Sequence, residues 1–298
     1  MRVVNTTTPE QRPLGRTGAS ISALAFGAMH IADPAQDEAA AGRLLNEVLD
    51  LGINVIDTAR SYGESEARIG RHLAHRRSEF LLSTKVGYGV DGVPDWTYDC
   101  ILGGVERALK LMRTDVLDIV HFHSCPLETL QRGEVIDALK KAQTDGKVRF
   151  AAYSGENEAL QFAISSGAFQ VLQTSISLCD QANLAARLPQ AAAAGLGVLA
   201  KRPLASNVWR YTDRPGDFAE GHYWDRWKAM GIDPQGLDWN ELALRFAAFQ
   251  PGVSAALVGT SKIENLRRNL AVLAKGPLPK AQQEALRSAF HAEWQGII

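Results

Sequence analysis

Cysteine is scarce. Only Cys100, Cys125 and Cys179 occur in 298 residues, far apart, odd in number and without a C-x-x-C pair. That spacing implies neither a disulfide framework nor a zinc site, and a reduced, cytoplasmic setting is expected. An excess of one charge is also missing. The 32 basic and 33 acidic residues leave a formal net charge of −1, with no basic block or stripe. Nucleic acid or an anionic membrane would find no electrostatic foothold. No apolar run approaches the length of a membrane span, and the first ten residues (MRVVNTTTPE) lack the apolar stretch of a secretory signal. Residues 1–11 read as a flexible N-terminal tail.

What is present is ordinary globular material, 46% hydrophobic and 22% charged, enough to fill a sizeable core without staples. Its dominant pattern alternates short apolar or β-branched runs with amphipathic Ala/Leu-rich segments. Strands are predicted at 22–28, 53–59, 79–86, 115–123, 147–154, 170–177, 196–204 and 254–260. Helices are predicted at 36–50, 64–75, 97–112, 129–144, 156–166, 184–194, 239–249, 262–273 and 279–294. Near-continuous apolar strands suit a parallel sheet covered on both faces. Eight such units favour one closed (β/α)8 barrel, an α/β TIM-barrel domain spanning 12–298, over an open doubly wound sheet. Two segments stand outside the repeat. Residues 12–22 read as a hairpin plugging the barrel bottom, and 205–237 as a long aromatic-rich loop after the seventh strand. Rim packing accounts for some of those aromatics, and a wall over the site is the functional alternative.

In such a barrel the chemistry gathers at the strand C-termini. Strand two ends in Asp57, with Tyr62 in the next loop; strand three ends in Lys85, strand four in His123, strand five in Ser154, and strand seven carries Lys201 and Arg202. Singly, each has a plain structural explanation: a helix cap, a rim aromatic, a solvated strand end, a core histidine. Together they suit protonation of a carbonyl oxygen. A free tyrosine, with a pKa near 10, is a reluctant acid, and a neighbouring ammonium stabilises the phenolate. A carboxylate keeps that ammonium charged, and a histidine can orient the carbonyl.

The stretches D57-T-A-R-S-Y62-G-E-S-E66, S-T-K85 and D118-I-V-H-F-H123, with R-P-L-G-R-T-G and A-F-G-A-M before them, resemble the aldo-keto reductase superfamily over residues 12–273. The resemblance implies NAD(P)H-dependent interconversion of a small-molecule carbonyl and its alcohol. Asp57, Tyr62, Lys85 and His123 would form the catalytic tetrad, with Tyr62 as proton donor; His121 is not the histidine the motif selects. Ser154 and Gln173 match positions that hold the nicotinamide carboxamide. The segment V258-G-T-S-K-I-E-N265-L-R-R268-N269 resembles the element for the adenosine end and its 2′-phosphate.

By itself that segment reads as a capped surface helix with solvated basic residues, and it also has the makings of a phosphate site. Ser261 and Glu264 spell a capping box, so a helix N-terminus with N–H groups suited to a phosphate is expected there. Gly259, Ser261, Lys262, Asn265, Arg268 and Asn269 are the candidate contacts, and Lys262 with Arg268 favours NADP(H) over NAD(H). Two departures from the family pattern stand out. Gly155 replaces the usual Asn after Ser154, and Lys201-Arg202 stands where an aromatic often stacks on the nicotinamide, leaving Arg202 as a candidate contact.

The run G87-Y-G-V-D-G92 has the form G-x-G-x-x-G, but Pro94 and Asp95 separate it from the helix near Thr97, so it reads as a flexible active-site loop rather than a dinucleotide turn. His121 and His123 share a strand face, which a metal-dependent hydrolase could use, but further ligands on later strand ends are missing and no metal is expected. A cofactor-binding regulatory subunit is the other alternative. The oligomeric state and the substrate are not legible.

Overall fold

A computed structural model describes residues 8–297. Of the expected 1–11 tail, residues 1–7 lie outside that range. Pro9 is buried, and Gln11 already belongs to the first strand.

An antiparallel hairpin, β1 (Gln11–Pro13) and β2 (Ser20–Ser22), precedes a closed ring of parallel strands. The ring runs β3 (Leu24–Gly27), β4 (Val55–Asp57), β5 (Leu81–Val86), β6 (Leu117–His123), β7 (Val148–Ser154), β8 (Val171–Ser175), β9 (Gly197–Lys201) and β10 (Ala255–Gly259), and β10 pairs back onto β3. The chain is a (β/α)8 barrel.

Inward-facing Ala25, Val55, Ile119, Phe150, Ala152, Val171, Leu199 and Ala255 fill the barrel interior, and Leu14 and Ile21 of the hairpin join that cluster from below. The hairpin therefore caps the barrel bottom. Its tip depends on glycine: Gly15 has φ +54°, and a Cβ there would lie 2.4 Å from the Gly195 carbonyl oxygen.

Around the ring lie α1 (Glu38–Asp50), α2 (Ser65–Leu73), α3 (Tyr98–Met112), α4 (Leu127–Arg132), α5 (Glu134–Thr144), α6 (Asn157–Ser165), α7 (Arg187–Ala193), α8 (Phe218–Met230), α9 (Trp239–Ala248), α10 (Ile263–Leu273) and α11 (Lys280–Ser288). Caps set several starts. Asp37, Thr97, Asp217 and Asp238 accept backbone N–H groups at the heads of α1, α3, α8 and α9. The helix predicted over 129–144 is broken in two, because Gly133 adopts φ +83° between α4 and α5. The last helix stops at Ser288, short of 294.

The 205–237 insertion is largely folded rather than an open loop. It carries a 3-10 helix (Ala205–Arg210) and α8, packed on α9. Trp209 stacks on Trp239 with centroids 5.7 Å apart, and Trp227 meets Trp239 edge-on at 5.5 Å. Tyr223 is buried in the same cluster, so packing accounts for much of this aromatic set. Among the described residues no helix is long and apolar enough to cross a membrane.

Candidate active site

Strand register brings the polar ends together. Asp57 pairs with Ser83 across β4 and β5, Lys85 with His121, His123 with Ser154, and Ser154 with Gln173. Side chains two apart share a face of a strand, so Ser83 and Lys85 point the same way, as do His121 and His123.

The centre is a buried ion pair. Lys85 Nζ donates to Asp57 Oδ2 at 2.6 Å and to the Thr58 carbonyl at 2.8 Å, and both charged side chains are 2% exposed. Asp57 Oδ1 accepts from Ser83 Oγ at 2.7 Å and from Gln173 Nε2 at 3.0 Å. Burial opposes both charges, but mutual attraction wins. The carboxyl of Asp57 is held below its usual range by Lys85 and the hydrogen bond from Ser83, and the ammonium of Lys85 above its own by Asp57 and Tyr62. Buried pairs survive when remaining lone pairs and protons are satisfied; here they are shared with Ser83, Gln173 and Thr58.

Tyr62 lies half-buried over this pair, its ring centroid 5.1 Å from Lys85 Nζ. The His123 ring meets it edge-on at 6.2 Å. Burial and the nearby Lys85 and Lys201 charges lower the His123 pKa to about 3, and burial lowers that of His121 to about 3 as well. Both imidazoles are neutral across the physiological range. The four residues picked out by the sequence motif thus converge on one rim.

Two partners of this group were missed. Ser83 links His121 Nε2, at 3.2 Å, to Asp57. Tyr88, from the G87–G92 loop, places its hydroxyl 2.5 Å from His123 Nδ1. Ser83 was legible in principle, lying two residues before Lys85 on the same strand face. No local pattern marks Tyr88. Among the described residues, no group of three or more His, Cys, Asp or Glu side chains is arranged to hold a metal.

The candidate cofactor positions fall on the same end of the barrel but are engaged unequally. Ser154 Oγ donates to Gln173 Oε1 at 3.1 Å, so the amide of Gln173 is tied to both Ser154 and Asp57. Gly155, where the family pattern has Asn, has a physical reason. A Cβ there would sit 2.4 Å from the hydroxyl of Tyr153, a buried side chain that donates to the Cys125 carbonyl at 3.1 Å. Lys201 is turned inward, 3.4 Å from Glu156, whose carboxylate also accepts from Thr174, Ser175 and Asn183. Burial draws the Lys201 ammonium below its ordinary pKa against the pull of Glu156. Arg202 is half-buried with φ +53°, and Ala205, Ser206 and Asn207 follow with φ +43° to +55°, concentrating backbone strain just after β9.

At the last element the expected capping box does not form. The N-cap of α10 is Lys262, one residue later than Ser261, and no side chain caps it, so Glu264 cannot reach back in the box geometry. Thr260 Oγ1 instead accepts from Lys262 N at 3.1 Å and Asn265 Nδ2 at 2.9 Å. Gly259, Ser261, Lys262 and Arg268 are exposed at this end. Asn269 shares the helix with Asn265 but is only 6% exposed, which leaves it little surface for a ligand.

Known proteins agree with this architecture. The aldo/keto reductase family model matches residues 23–290. L-galactose dehydrogenase of Arabidopsis thaliana is 27% identical over 93% of this chain and 92% of its own. A "Probable voltage-gated potassium channel subunit beta" of the same organism is 28% identical over 90% and 92%. In fold, the holo form of an aldo-keto reductase from Bacillus halodurans superposes with a TM-score of 0.84 at 24% identity, covering 95% of this chain and 97% of that one. The match to the family model runs through every strand of the barrel, and the chain belongs to the aldo/keto reductase family of oxidoreductases.

Proposed function

We propose that the protein interconverts a small-molecule carbonyl and its alcohol with a nicotinamide cofactor, Tyr62 exchanging the proton. The observation that carries this reading is the convergence of Tyr62, the buried Asp57–Lys85 pair and a neutral His123 on one rim.

The residues present fit such a cofactor. Ser154 and Gln173 offer hydroxyl and amide groups to a carboxamide. At Gly259 a Cβ would lie 2.8 Å from the His30 ring and 3.1 Å from the Gly27 carbonyl oxygen, so the bare backbone leaves room that a side chain would take, and Ser261 lies two residues on. The uncapped start of α10 supplies N–H groups suited to a phosphate. Exposed Lys262 and Arg268 support NADP(H) over NAD(H), with Arg202 and Asn265 as further contacts in this reading. When bound, the nicotinamide supplies or accepts the hydride.

The chain's own groups do the rest. Tyr62 donates its phenolic proton as charge grows on the carbonyl oxygen, and takes it back in oxidation. Lys85 stabilises the phenolate left behind, and Asp57 keeps Lys85 charged at neutral pH. His123 donates an N–H to the carbonyl oxygen and so orients it. Three buried free cysteines support a cytoplasmic setting.

The test is NADPH consumption with a panel of aldehydes and ketones, wild type against Tyr62→Phe. Loss of the proton donor is expected to lower kcat by about 100-fold or more while NADPH still binds. Lys262→Ala with Arg268→Ala is expected to weaken NADPH binding without affecting NADH. A relative named as a channel subunit beta favours a second reading, a cofactor-binding regulatory subunit. NADPH binding without turnover on any carbonyl or alcohol would select it.

A further inference from the structure

Tyr88 is braced in place by its surroundings. Its ring lies nearly parallel to the His123 imidazole, centroids 5.6 Å apart at 25°, and the Trp96 ring meets it edge-on at 6.1 Å. The loop that carries it is fixed at both ends. Trp96 N donates to the Gly87 carbonyl at 2.7 Å, and Gly89 N donates to Asp95 Oδ1 at 2.7 Å. Gly87 has φ +136°, and a Cβ there would lie 2.1 Å from the Trp96 ring, so the indole seats directly on the backbone. The Tyr88 hydroxyl has two neighbours, His123 Nδ1 at 2.5 Å and Ser61 Oγ at 3.2 Å.

Donor order in this chain follows from acidity. A phenol, with a pKa of about 10, is a far better proton donor than an aliphatic hydroxyl, and a bare imidazole nitrogen is the best acceptor nearby. The phenol reaches Ser61 Oγ at 3.2 Å and His123 Nδ1 at 2.5 Å but has one proton for the two; the shorter bond and the better acceptor favour His123, which leaves the Ser61 hydroxyl to turn toward the phenol oxygen. A neutral imidazole has only one N–H, and the partner of one nitrogen decides which nitrogen carries it. Burial keeps His123 neutral.

We propose that Tyr88 is a positioning residue: its phenol donates to His123 Nδ1, fixes the imidazole as the Nε2–H tautomer, and so reserves that N–H for a substrate carbonyl oxygen. With the opposite tautomer, Nε2 would present a lone pair to the carbonyl oxygen and repel it. The link to turnover rests on the reductase reading above; the tautomer itself does not.

Two measurements separate these parts. The first is 15N NMR of the full-length protein with labelled histidine, with the His123 signals assigned through His123→Gln. Wild type is expected to show Nε2 protonated and Nδ1 bare, and Tyr88→Phe, which keeps the stacked ring, a mixture of tautomers. The second is steady-state kinetics of the same variant. Here kcat is expected to fall about three- to tenfold, the size of one hydrogen bond, with KM for NADPH unchanged. Nδ1–H in wild type, or an unchanged tautomer in Tyr88→Phe, overturns the proposal. So does a shifted tautomer with unchanged kcat. If wild type turns over no carbonyl or alcohol, the reductase reading fails, and the NMR result alone decides whether Tyr88 sets the tautomer.

Discussion

Replacing Lys85 by Met removes the cation from the buried pair and leaves a carboxylate in a site where both side chains are 2% exposed. Breaking a buried ion pair on one side costs about 3–5 kcal/mol, because the remaining charge is stranded. For a chain of this size that corresponds to a drop in Tm of roughly 5–8 °C. Asp57 keeps its bonds from Ser83 and Gln173, which places the loss toward the lower end. Adding Asp57→Asn to Lys85→Met removes the stranded charge, and the double variant is expected to regain most of the loss while staying inactive.

The pH dependence gives the reasoning a second check. In wild type the folded-state pKa of Asp57 is depressed, so its contribution is present above the usual carboxylate range and fades only in acid. Without Lys85 the burial penalty, opposed only by the hydrogen bonds from Ser83 and Gln173, pushes that pKa up. Asp57 can then take a proton, and the gap between wild type and Lys85→Met is expected to narrow as pH falls from 7 to 5. Denaturant unfolding at both pH values, with the slope checked for two-state behaviour, measures this. A gap that is constant with pH, or a double variant no more stable than Lys85→Met, would refute the account of the pair.

The two histidines make a separate claim on pH. His121 and His123, held near pKa 3 in the fold and about 6.5 when unfolded, contribute stability above pH 6.5 that is lost as pH falls toward 3. Each is expected to add about 1.4 kcal/mol per pH unit to the slope in that window, and His123→Gln to remove one share, read from unfolding curves stepped through pH 6 to 4. At Gly155, restoring the family's usual amide by Gly155→Asn is expected to lower Tm, because the new Cβ meets the Tyr153 hydroxyl. The Tyr153 Cζ and Cε1 atoms would also lie 2.7 and 2.8 Å from that Cβ, so Gly155→Asn should cost less stability in a Tyr153→Ala background than in wild type; an equal cost would mean the clash is not the cause.

The barrel and its four convergent residues were legible because both rest on rules that act across the whole chain. Alternating apolar strands and amphipathic helices predict the ring, and the ring then says where Asp57, Lys85 and His123 must point. What failed to show depends on contacts between segments remote in sequence. The α8 segment mixes apolar and charged residues around its circumference, so no periodic stripe announces a helix; its Tyr223 is buried against α9, far from any local signal. The Ser261–Glu264 spacing fits a capping box, yet Thr260 takes the two donors and the helix begins a residue later. Glu156 reads as a residue at the start of a helix, although folding places it against Thr174, Asn183 and Lys201. Tyr88 was visible only as the second residue of a glycine-rich decoy.

The pairing of β10 with β3 has a consequence for how the protein is made. Ala256 meets Leu24, and Gly259 meets Gly27, so the ring closes through contacts between the two ends of the chain. Until Ala255–Gly259 has left the ribosome, β3 and β9 each present an open edge of unpaired N–H and C=O groups. Such long-range closure is slow compared with helix formation, and a nascent barrel lacking its last strand offers those edges to other chains. The same seam that seals the folded molecule thus leaves two strand edges open during synthesis until one five-residue strand is complete.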